Sequence, residues 1–131
     1  MPDGLLSGEY TALAVTSMVL VVVPNPGFRR SIEFALEAEG YGVDSRAQLS
    51  AGTTSPTASL VCCAVIDEDA TEGGADAWNF LGHFPKPIVL LVDRPWSLPE
   101  PDGMKVLVKP LLGNALVEAV RHVVARSIAA I

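Results

Sequence analysis

The residues best suited to chemistry form an acidic run directly after an apolar segment. Asp67, Glu68 and Asp69 follow the run LVCCAVI, and Glu72 and Asp76 come soon after. Carboxylate oxygens are the ligands that hard divalent cations prefer. Acidic side chains also favour the N terminus of a following helix through its dipole. The run therefore indicates either an electronegative binding edge or a solvated loop in front of a helix.

The other nucleophiles and metal ligands lack partners at a useful spacing. Cys62 and Cys63 are adjacent in the apolar run, which predicts two small core residues rather than a disulfide framework or a zinc site. His83 and His122 have no acidic or cysteine partner at ligand spacing, so both are expected on helix surfaces or helix ends. No glycine-rich nucleotide motif and no ordered set of nucleophile, histidine and acid is present. We therefore expect a protein that is not an enzyme.

Length and composition indicate one independently folding domain. The chain has 131 residues, of which 50% are hydrophobic and 18% are charged, and chains of this length usually form one domain. The composition is the opposite of the low hydrophobicity and high charge that mark disordered proteins. We expect an N-terminal extension at residues 1–17 and a single domain at residues 18–131.

Charge and the N-terminal residues predict a cytoplasmic protein that binds neither nucleic acid nor membranes. Nine Lys and Arg residues against fifteen Asp and Glu residues give a net charge of −6, whereas contacts to phosphate need a positive surface. The longest apolar run, residues 12–23, is interrupted by Thr16 and Ser17 and is too short to span a bilayer. Residues 1–4 lack the positive charge that begins a secretory signal.

Strand and helix patterns alternate along the chain. Apolar runs predict strands at residues 18–23, 41–45, 60–66, 88–92 and 105–108. Continuous β-branched runs are typical of strands that are covered on both faces, as in parallel sheets. Because helical patterns separate these strands, the sequence predicts βα units and a three-layer α/β fold with a parallel sheet.

The first helix has clear start and stop signals. Asn25 is suited to cap it, Pro26 to its first position and Gly40 to its end. The predicted buried stripe is Phe28, Ile32, Ala35 and Leu36, and the residues expected to face water are Arg29, Arg30, Glu33 and Glu37.

Two more helices are predicted, at residues 75–84 and from Pro110 to the C terminus. The apolar stripe of the last helix is Leu112, Leu116, Ala119, Val120, Val123 and Val124. Residues 46–59 predict one short helix or a loop. Residues 93–104 contain three prolines, which prevent a regular helix there.

In an open parallel sheet, ligands and reactive groups gather outside the carboxyl ends of the strands. Three segments of the predicted sheet end at this edge: Val23-Pro24-Asn25, Asp67 and Val92-Asp93. We therefore expect any functional site to lie there.

The sequence resembles the receiver domain of bacterial response regulators. The resemblance covers about residues 18–124 and rests on FRRSIEFALEAEGYGV after strand 1, on Asp67 placed 27 residues after Gly40, and on Val108-Lys109-Pro110 after strand 5. It implies a flavodoxin-like (βα)5 fold with strand order 2-1-3-4-5, here with a proline-rich loop in place of the fourth helix. It also implies that Asp67 is the phosphoacceptor position, that Lys109 is a phosphate-sensing or ion-pair position, and that the bond before Pro110 is cis.

The chain departs from this family at the site itself. Val23 and Pro24 stand where receivers have an acidic pair, and Val92 stands where they have a Ser or Thr. Magnesium needs carboxylate ligands of that kind, and phosphoryl transfer depends on a cation that neutralises the transferred oxygens. The departures imply a weak or silent Asp67 and no cofactor.

The leading hypothesis is an atypical, stand-alone response regulator of two-component signal transduction. It would act largely without aspartyl phosphorylation, by contact with a sensor histidine kinase or another signalling protein, or as a homodimer. One alternative is phosphorylation at Asp67 by a histidine kinase, with magnesium at a site altered to use Asn25, Glu68 or Asp69. From another class, the alternative is a flavodoxin-like flavin-binding protein or a small hydrolase, although residues 23–27 are not rich in phosphate donors.

A partner surface is expected in the proline-rich segment. Receivers use the face around the fourth helix and fifth strand to dimerise or to contact partners, and Trp96, Leu98 and Met104 lie there in this sequence. The alternative is that Trp96 folds back and covers the edge of the sheet.

Overall fold

Five parallel strands form one sheet in a computed structural model that describes residues 18–49, 61–71, 79, 81–95, 100, 103–111 and 113–129. The strands are β1 (Met18–Val22), β2 (Gly42–Arg46), β3 (Cys63–Asp67), β4 (Ile88–Val92) and β5 (Met104–Val108). Their order is β2-β1-β3-β4-β5. The structure confirms the predicted α/β class and flavodoxin-like topology, and each strand lies within three residues of its predicted bounds.

The three inner strands carry the core. Nearly every residue of β1, β3 and β4 is buried, which explains their continuous apolar sequences, whereas the edge strands β2 and β5 are half-buried or exposed. One apolar cluster lies on the face that packs against the helices at Pro26–Ala38 and Ala115–Ala129, and a second cluster lies on the opposite face with Leu81. Cys63 belongs to the first cluster and is buried, as predicted, but Cys62 is half-buried.

Helix α1 (Pro26–Ala38) begins as predicted. The Asn25 Oδ1 atom accepts a hydrogen bond of 2.9 Å from the Phe28 backbone N–H, and Pro26 occupies the first turn. Gly40 follows the helix with φ +94°, a conformation that favours glycine. Ile32 and Leu36 are the buried residues of the predicted stripe.

Two polar residues of α1 do not simply face water, contrary to prediction. The Arg29 side chain turns back and donates to the Val23 carbonyl, and Glu33 accepts a hydrogen bond from the Ser45 hydroxyl of β2. Periodicity assigned both residues to the polar face correctly. It could not reveal that backbone and strand groups lie within reach of that face.

Helix α2 (Ala115–Ala129) starts later than predicted. Gly113 has φ +58°, which interrupts any helical run from Pro110, and the first backbone bond runs from Glu118 N–H to the Asn114 carbonyl at 2.9 Å. The buried residues of α2 are Leu116, Val117, Ala119, Val120 and Val123, while Val124 packs against the same cluster.

The remaining predicted segments are described only in part. Residues 79 and 81–83 are helical, and a 3₁₀ turn spans Glu68–Thr71. The described residues between 93 and 103 are not helical. Residues 1–17, most of 46–59, Trp96, Leu98 and Leu112 lie outside the described residues. Within the part of the chain that is described, no helix is long and apolar enough to cross a membrane.

Candidate functional site

Strand register brings the predicted site residues to one edge of the sheet. Asp67 pairs with Leu91, one residue before the end of β4, and Val92 pairs with Val108, the last residue of β5. The residues that directly follow β4 and β5 are Asp93 and Lys109. The carboxyl ends of β3, β4 and β5 therefore place an aspartate, an aspartate and a lysine side by side.

Asp67 is a buried carboxylate with a complete set of partners. Its side chain is only 2% exposed. Its Oδ1 atom accepts hydrogen bonds from Lys109 Nζ and from the Asp69 backbone N–H, both at 2.9 Å, and its Oδ2 atom accepts from Lys109 at 3.1 Å. The lysine therefore contacts both oxygens, and Asp67 is held as a paired ion.

Lys109 is the hub of the site. Besides Asp67, its Nζ atom lies 3.0 Å from Asp93 Oδ1 and 3.7 Å from Asp69 Oδ2, and it sits 5.8 Å from the centre of the Phe28 ring. Burial lowers the pKa of Lys109, but the hydrogen bonds to Asp67 and Asp93 and the charges of Asp67 and Asp69 outweigh burial, so that the pKa is raised. The ammonium ion is thus a fixed cation among three carboxylates.

Asp93 is a site residue that sequence reasoning placed at the edge but gave no role. The signal was present, because an acid directly after β4 must lie beside whatever follows β5 in a parallel sheet. The Asp93 backbone N–H also donates to Glu68 Oε1 at 3.0 Å. This bond ties the end of β4 to the turn that follows β3.

The acidic residues form one group around this edge. Carboxylate oxygens of Glu68, Asp69 and Asp93 lie within 4.8 Å of one another, with Asp69 and Asp93 exposed to solvent. Two of the three are also paired with Lys109. Glu72 and Asp76, predicted members of the same cluster, lie outside the described residues.

The β1 end of the site offers no free oxygen to a metal. Val23 is buried and Pro24 is half-buried, and neither side chain carries an oxygen. Arg29 Nη1 donates to the Val23 carbonyl at 2.8 Å and to the Pro24 carbonyl at 3.4 Å. Asn25 uses its side-chain oxygen to cap α1. These residues offer carbonyls that already accept hydrogen bonds from a guanidinium ion and no carboxylate, so they do not fit a magnesium ion.

Val92 likewise supplies no polar group. Its side chain is buried in the second apolar cluster, and its carbonyl accepts the Lys109 backbone N–H at 2.8 Å. The Lys109–Pro110 peptide bond is cis. The backbone at this edge thus follows the receiver pattern, including the cis bond, while the side chains of Val23, Pro24 and Val92 depart from it.

An open groove of about 570 Å³ adjoins Lys109. Its walls are Phe28, Ser31, Ile32 and Ala35 of α1, Lys109, Pro110, Leu111 and Gly113 of the loop after β5, and Leu116 of α2. Phe34, which follows Ser31 by three positions on α1, is 67% exposed. Sequence periodicity assigned most of these α1 residues to the core and did not show that a groove separates them from the loop.

The predicted partner surface is described at one residue only. Met104, the first residue of β5, is half-buried and packs against the second apolar cluster. Trp96 and Leu98 lie outside the described residues. His83 and His122 are exposed, and the His83 Nδ1 atom is hydrogen-bonded to the Asn79 carbonyl at 2.9 Å.

No family model matches the sequence. Over 108 residues, however, the chain is 35% identical to the transcriptional regulator protein FixT of Rhizobium meliloti, an alignment that covers 81% of this chain and 91% of that protein. The chain belongs to the FixT family. In this member of the family, Lys109 is surrounded by the carboxylates of Asp67, Asp69 and Asp93.

Solved structures place this FixT-family chain in the receiver fold. A response regulator receiver domain from Clostridium thermocellum aligns with a TM-score of 0.69 and 16% identity over 88% of this chain and 99% of that one. A receiver protein from Sinorhizobium medicae aligns with a TM-score of 0.66 and 17% identity over 84% and 95%. These likenesses bear on the fold, and with the FixT relationship they support a response regulator of two-component signalling.

Proposed function

We propose that this chain is an atypical response regulator that acts through protein contacts, without phosphorylation of Asp67. The observation that carries the proposal is at the β1 end, where Val23 and Pro24 have no carboxylate and the Val23 carbonyl already accepts a hydrogen bond from Arg29 Nη1 at 2.8 Å. Asp67 therefore lacks the acidic neighbours that would hold a metal beside it.

Electrostatics at the β1 end argue against phosphoryl transfer. A phosphoryl donor brings negative charge to an edge that already carries Asp67, Asp69 and Asp93, and transfer depends on cations that neutralise the developing charge. One charge contact near 4 Å at an effective dielectric of about 20 contributes about 4 kcal/mol, which is roughly a thousandfold in rate. Val23 and Pro24 have no carboxylate with which to recruit that contact.

The β4 end lacks the group that would read a phosphorylated state. Receivers use a hydroxyl at the Val92 position to hold the phosphoryl oxygen and to couple it to the nearby surface. Val92 is buried among apolar residues and has no such group. A phosphorylated Asp67 would therefore have no hydroxyl at position 92 with which to form a hydrogen bond. The output of this protein is better explained by binding to a partner than by a change of conformation on phosphorylation.

The partner that we propose is a sensor histidine kinase or another signalling protein, and we place the contact at the groove beside Lys109. The groove is open, mostly apolar and about 570 Å³ in volume, and Phe34 on the same helix is 67% exposed. Contiguous apolar grooves at the surface are typical of protein interfaces. Homodimerisation through the same groove is the competing mode of binding.

A phosphorylation assay tests the proposal. The full chain is incubated with magnesium and a small phosphodonor such as acetyl phosphate, and its intact mass is measured beside an Asp67→Asn variant and a typical receiver domain. We expect the receiver to gain a phosphoryl group and this chain to keep its mass. A phosphoryl adduct on the wild type that is absent from Asp67→Asn would contradict the proposal.

The second candidate function is a working phosphoacceptor with a displaced metal site. The observation in its favour is the group of carboxylate oxygens on Glu68, Asp69 and Asp93 within 4.8 Å of one another. The same assay separates the two functions, because only this candidate predicts an adduct that depends on magnesium.

We propose that this chain does not bind nucleic acid directly. The net charge of −6 argues against it, but the relative FixT is named a transcriptional regulator. We propose that regulation by this chain is indirect, through its protein partner. Retardation of labelled promoter DNA by the purified chain alone would contradict that part of the proposal.

A further inference from the structure

Strand β5 lies at one edge of the sheet, and β4 is its one neighbour among the described strands. The Lys109 N–H, directly after β5, donates to the Val92 carbonyl of β4 at 2.8 Å. In a parallel ladder of this register, the odd-numbered residues of β5 direct their backbone N–H and C=O groups toward β4, and the even-numbered residues direct theirs away from it. The backbone groups of Met104, Val106 and Val108 therefore point outward from the sheet.

The side chain of Glu100 lies against this edge. Its Oε2 atom accepts a hydrogen bond of 2.6 Å from the outward N–H of Val106, the middle residue of β5, and lies 3.9 Å from Lys105 Nζ. A carboxylate in this place has the position that a carbonyl oxygen of a further strand would need. Val108, two residues along the same edge, is 40% exposed. The edge thus has an exposed apolar end and a charged group at its centre.

We propose that Glu100 prevents β5 from pairing with β5 of a second copy of this chain. Two identical edge strands can pair antiparallel about a two-fold axis. With Val106 at that axis, Val106 of one copy faces Val106 of the other and Met104 faces Val108, so that each outward N–H meets an outward carbonyl. The residues matched in this way are all apolar. The strand is therefore self-complementary, and unpaired edges of this kind are the ones to which further strands add.

The carboxylate of Glu100 lies where this pairing would be centred. Because each copy holds its carboxylate at Val106, the two carboxylates would meet at the axis of the pair. Like charges that face each other across strands are destabilising, and charged side chains at an edge are a common protection against edge-to-edge association. The net charge of −6 on each chain acts in the same direction. The inference does not rest on the proposed function, because neither Glu100 nor any residue of β5 lines the groove.

Sedimentation equilibrium of the full chain tests the inference. The wild type is compared with Glu100→Ala and with a matched control, Glu118→Ala, which removes the same charge from an exposed position on α2. We expect Glu100→Ala to dimerise about fivefold or more tightly than the wild type, because the like charges at the axis are gone. Glu118→Ala should associate as the wild type does. Adding Val108→Pro to Glu100→Ala removes one outward N–H and should restore the wild-type behaviour.

Three results would overturn the inference. They are a Glu100→Ala variant that is folded by circular dichroism and associates no more tightly than the wild type, an equal increase in Glu118→Ala, and a dimer of Glu100→Ala that survives Val108→Pro. If Glu100→Ala folds poorly, Glu100→Gln, which keeps the shape of the side chain and removes its charge, is judged by the same criteria. Hydrogen exchange of the wild type needs no variant: the bonded Val106 amide should exchange more slowly than the Val108 amide, and equal rates would contradict the contact.

Discussion

At the scale of single residues, the account depends on Lys109 as a permanent counter-ion. Its ammonium group faces Asp67, which is almost fully buried, and Asp93, which is exposed. Removing one partner of a buried pair is costly, because the other charge is left without compensation. The lysine is itself 17% exposed, so the cost should be somewhat below that of a fully buried pair.

We therefore expect Lys109→Met to lower the free energy of unfolding by about 2–4 kcal/mol. Urea denaturation monitored by circular dichroism gives this value. The matched control is Lys105→Met, because Lys105 pairs with Glu100 at 3.9 Å between two side chains that are about 40% exposed. Exposed pairs contribute at most about 1 kcal/mol, and a loss in the control as large as that of Lys109→Met would refute the assigned role.

The same lysine predicts a loss of stability at high pH. The pKa of Lys109 is raised above its ordinary value of 10.5 in the folded protein, so its contribution is complete below pH 10.5 and is lost as pH rises through the folded pKa. Burial raises the pKa of Tyr41, which also lowers stability at high pH, but it does so equally in the wild type and in Lys109→Met. We expect the unfolding free energy of Lys109→Met to fall less steeply above pH 10.5 than that of the wild type. Parallel curves would contradict this.

At the scale of elements, the short segment between β1 and α1 is used to start a helix and so is not available to bind a metal. Asn25 was a candidate metal ligand, yet its Oδ1 atom accepts the Phe28 N–H and so caps α1. Pro26 and Asn25 together are a helix start signal, and the helix uses them as such. This loop therefore serves to cap α1, and it carries no acidic side chain that could bind a metal.

Replacing the cap has a specific expected cost. Asn25→Ala should lower the unfolding free energy by about 1 kcal/mol, because the Phe28 N–H loses its acceptor. Asn25→Asp, the control, keeps an acceptor near the helix N terminus and should stay close to the wild type. Thermal and urea unfolding of the two variants make the comparison. Equal losses in both would mean that the amide of Asn25 has a role other than capping.

At the scale of the whole molecule, the receiver topology places the acidic site and the groove on either side of Lys109. Lys109 closes the acidic site on one side and forms part of the groove wall on the other. A partner seated against α1 and the loop after β5 would therefore touch the residue that holds Asp67. This arrangement supports regulation by binding rather than by phosphorylation.

Filling the groove should remove partner binding without unfolding the protein. We expect Ala35→Arg to abolish binding to a purified sensor histidine kinase from the same genome, and Ala47→Arg, on an exposed segment after β2, to bind as the wild type does. Biolayer interferometry with both variants provides the measurement. Kinase binding that survives in Ala35→Arg would exclude the groove as the contact.

The fold was largely predictable from sequence, because continuous apolar runs and helix caps are local signals. The runs at β1, β3 and β4 and the Asn25-Pro26 start led to the correct inner strands and first helix, whereas the strand order came from the resemblance to receiver domains. The start of α2 was missed, since the positive φ of Gly113 is a backbone conformation that a helical stripe from Pro110 does not reveal.

The site was predictable only where the resemblance supplied a position. Asp67 and Lys109 were named in advance, whereas the contact of Asp93 with Lys109 and the turn of Arg29 onto the Val23 and Pro24 carbonyls depend on side-chain packing across elements. Single-sequence patterns do not contain such contacts. For the same reason the groove could not be distinguished from buried core.

A magnesium titration followed by amide NMR tests the central claim most directly. The account predicts that millimolar magnesium leaves the amide signals of Asp67, Asp69 and Asp93 in place, because these carboxylates are already paired with Lys109 and Val23 and Pro24 add no ligand. Saturable shifts confined to those amides and to Lys109 would contradict it, since they would show a working metal site at Asp67.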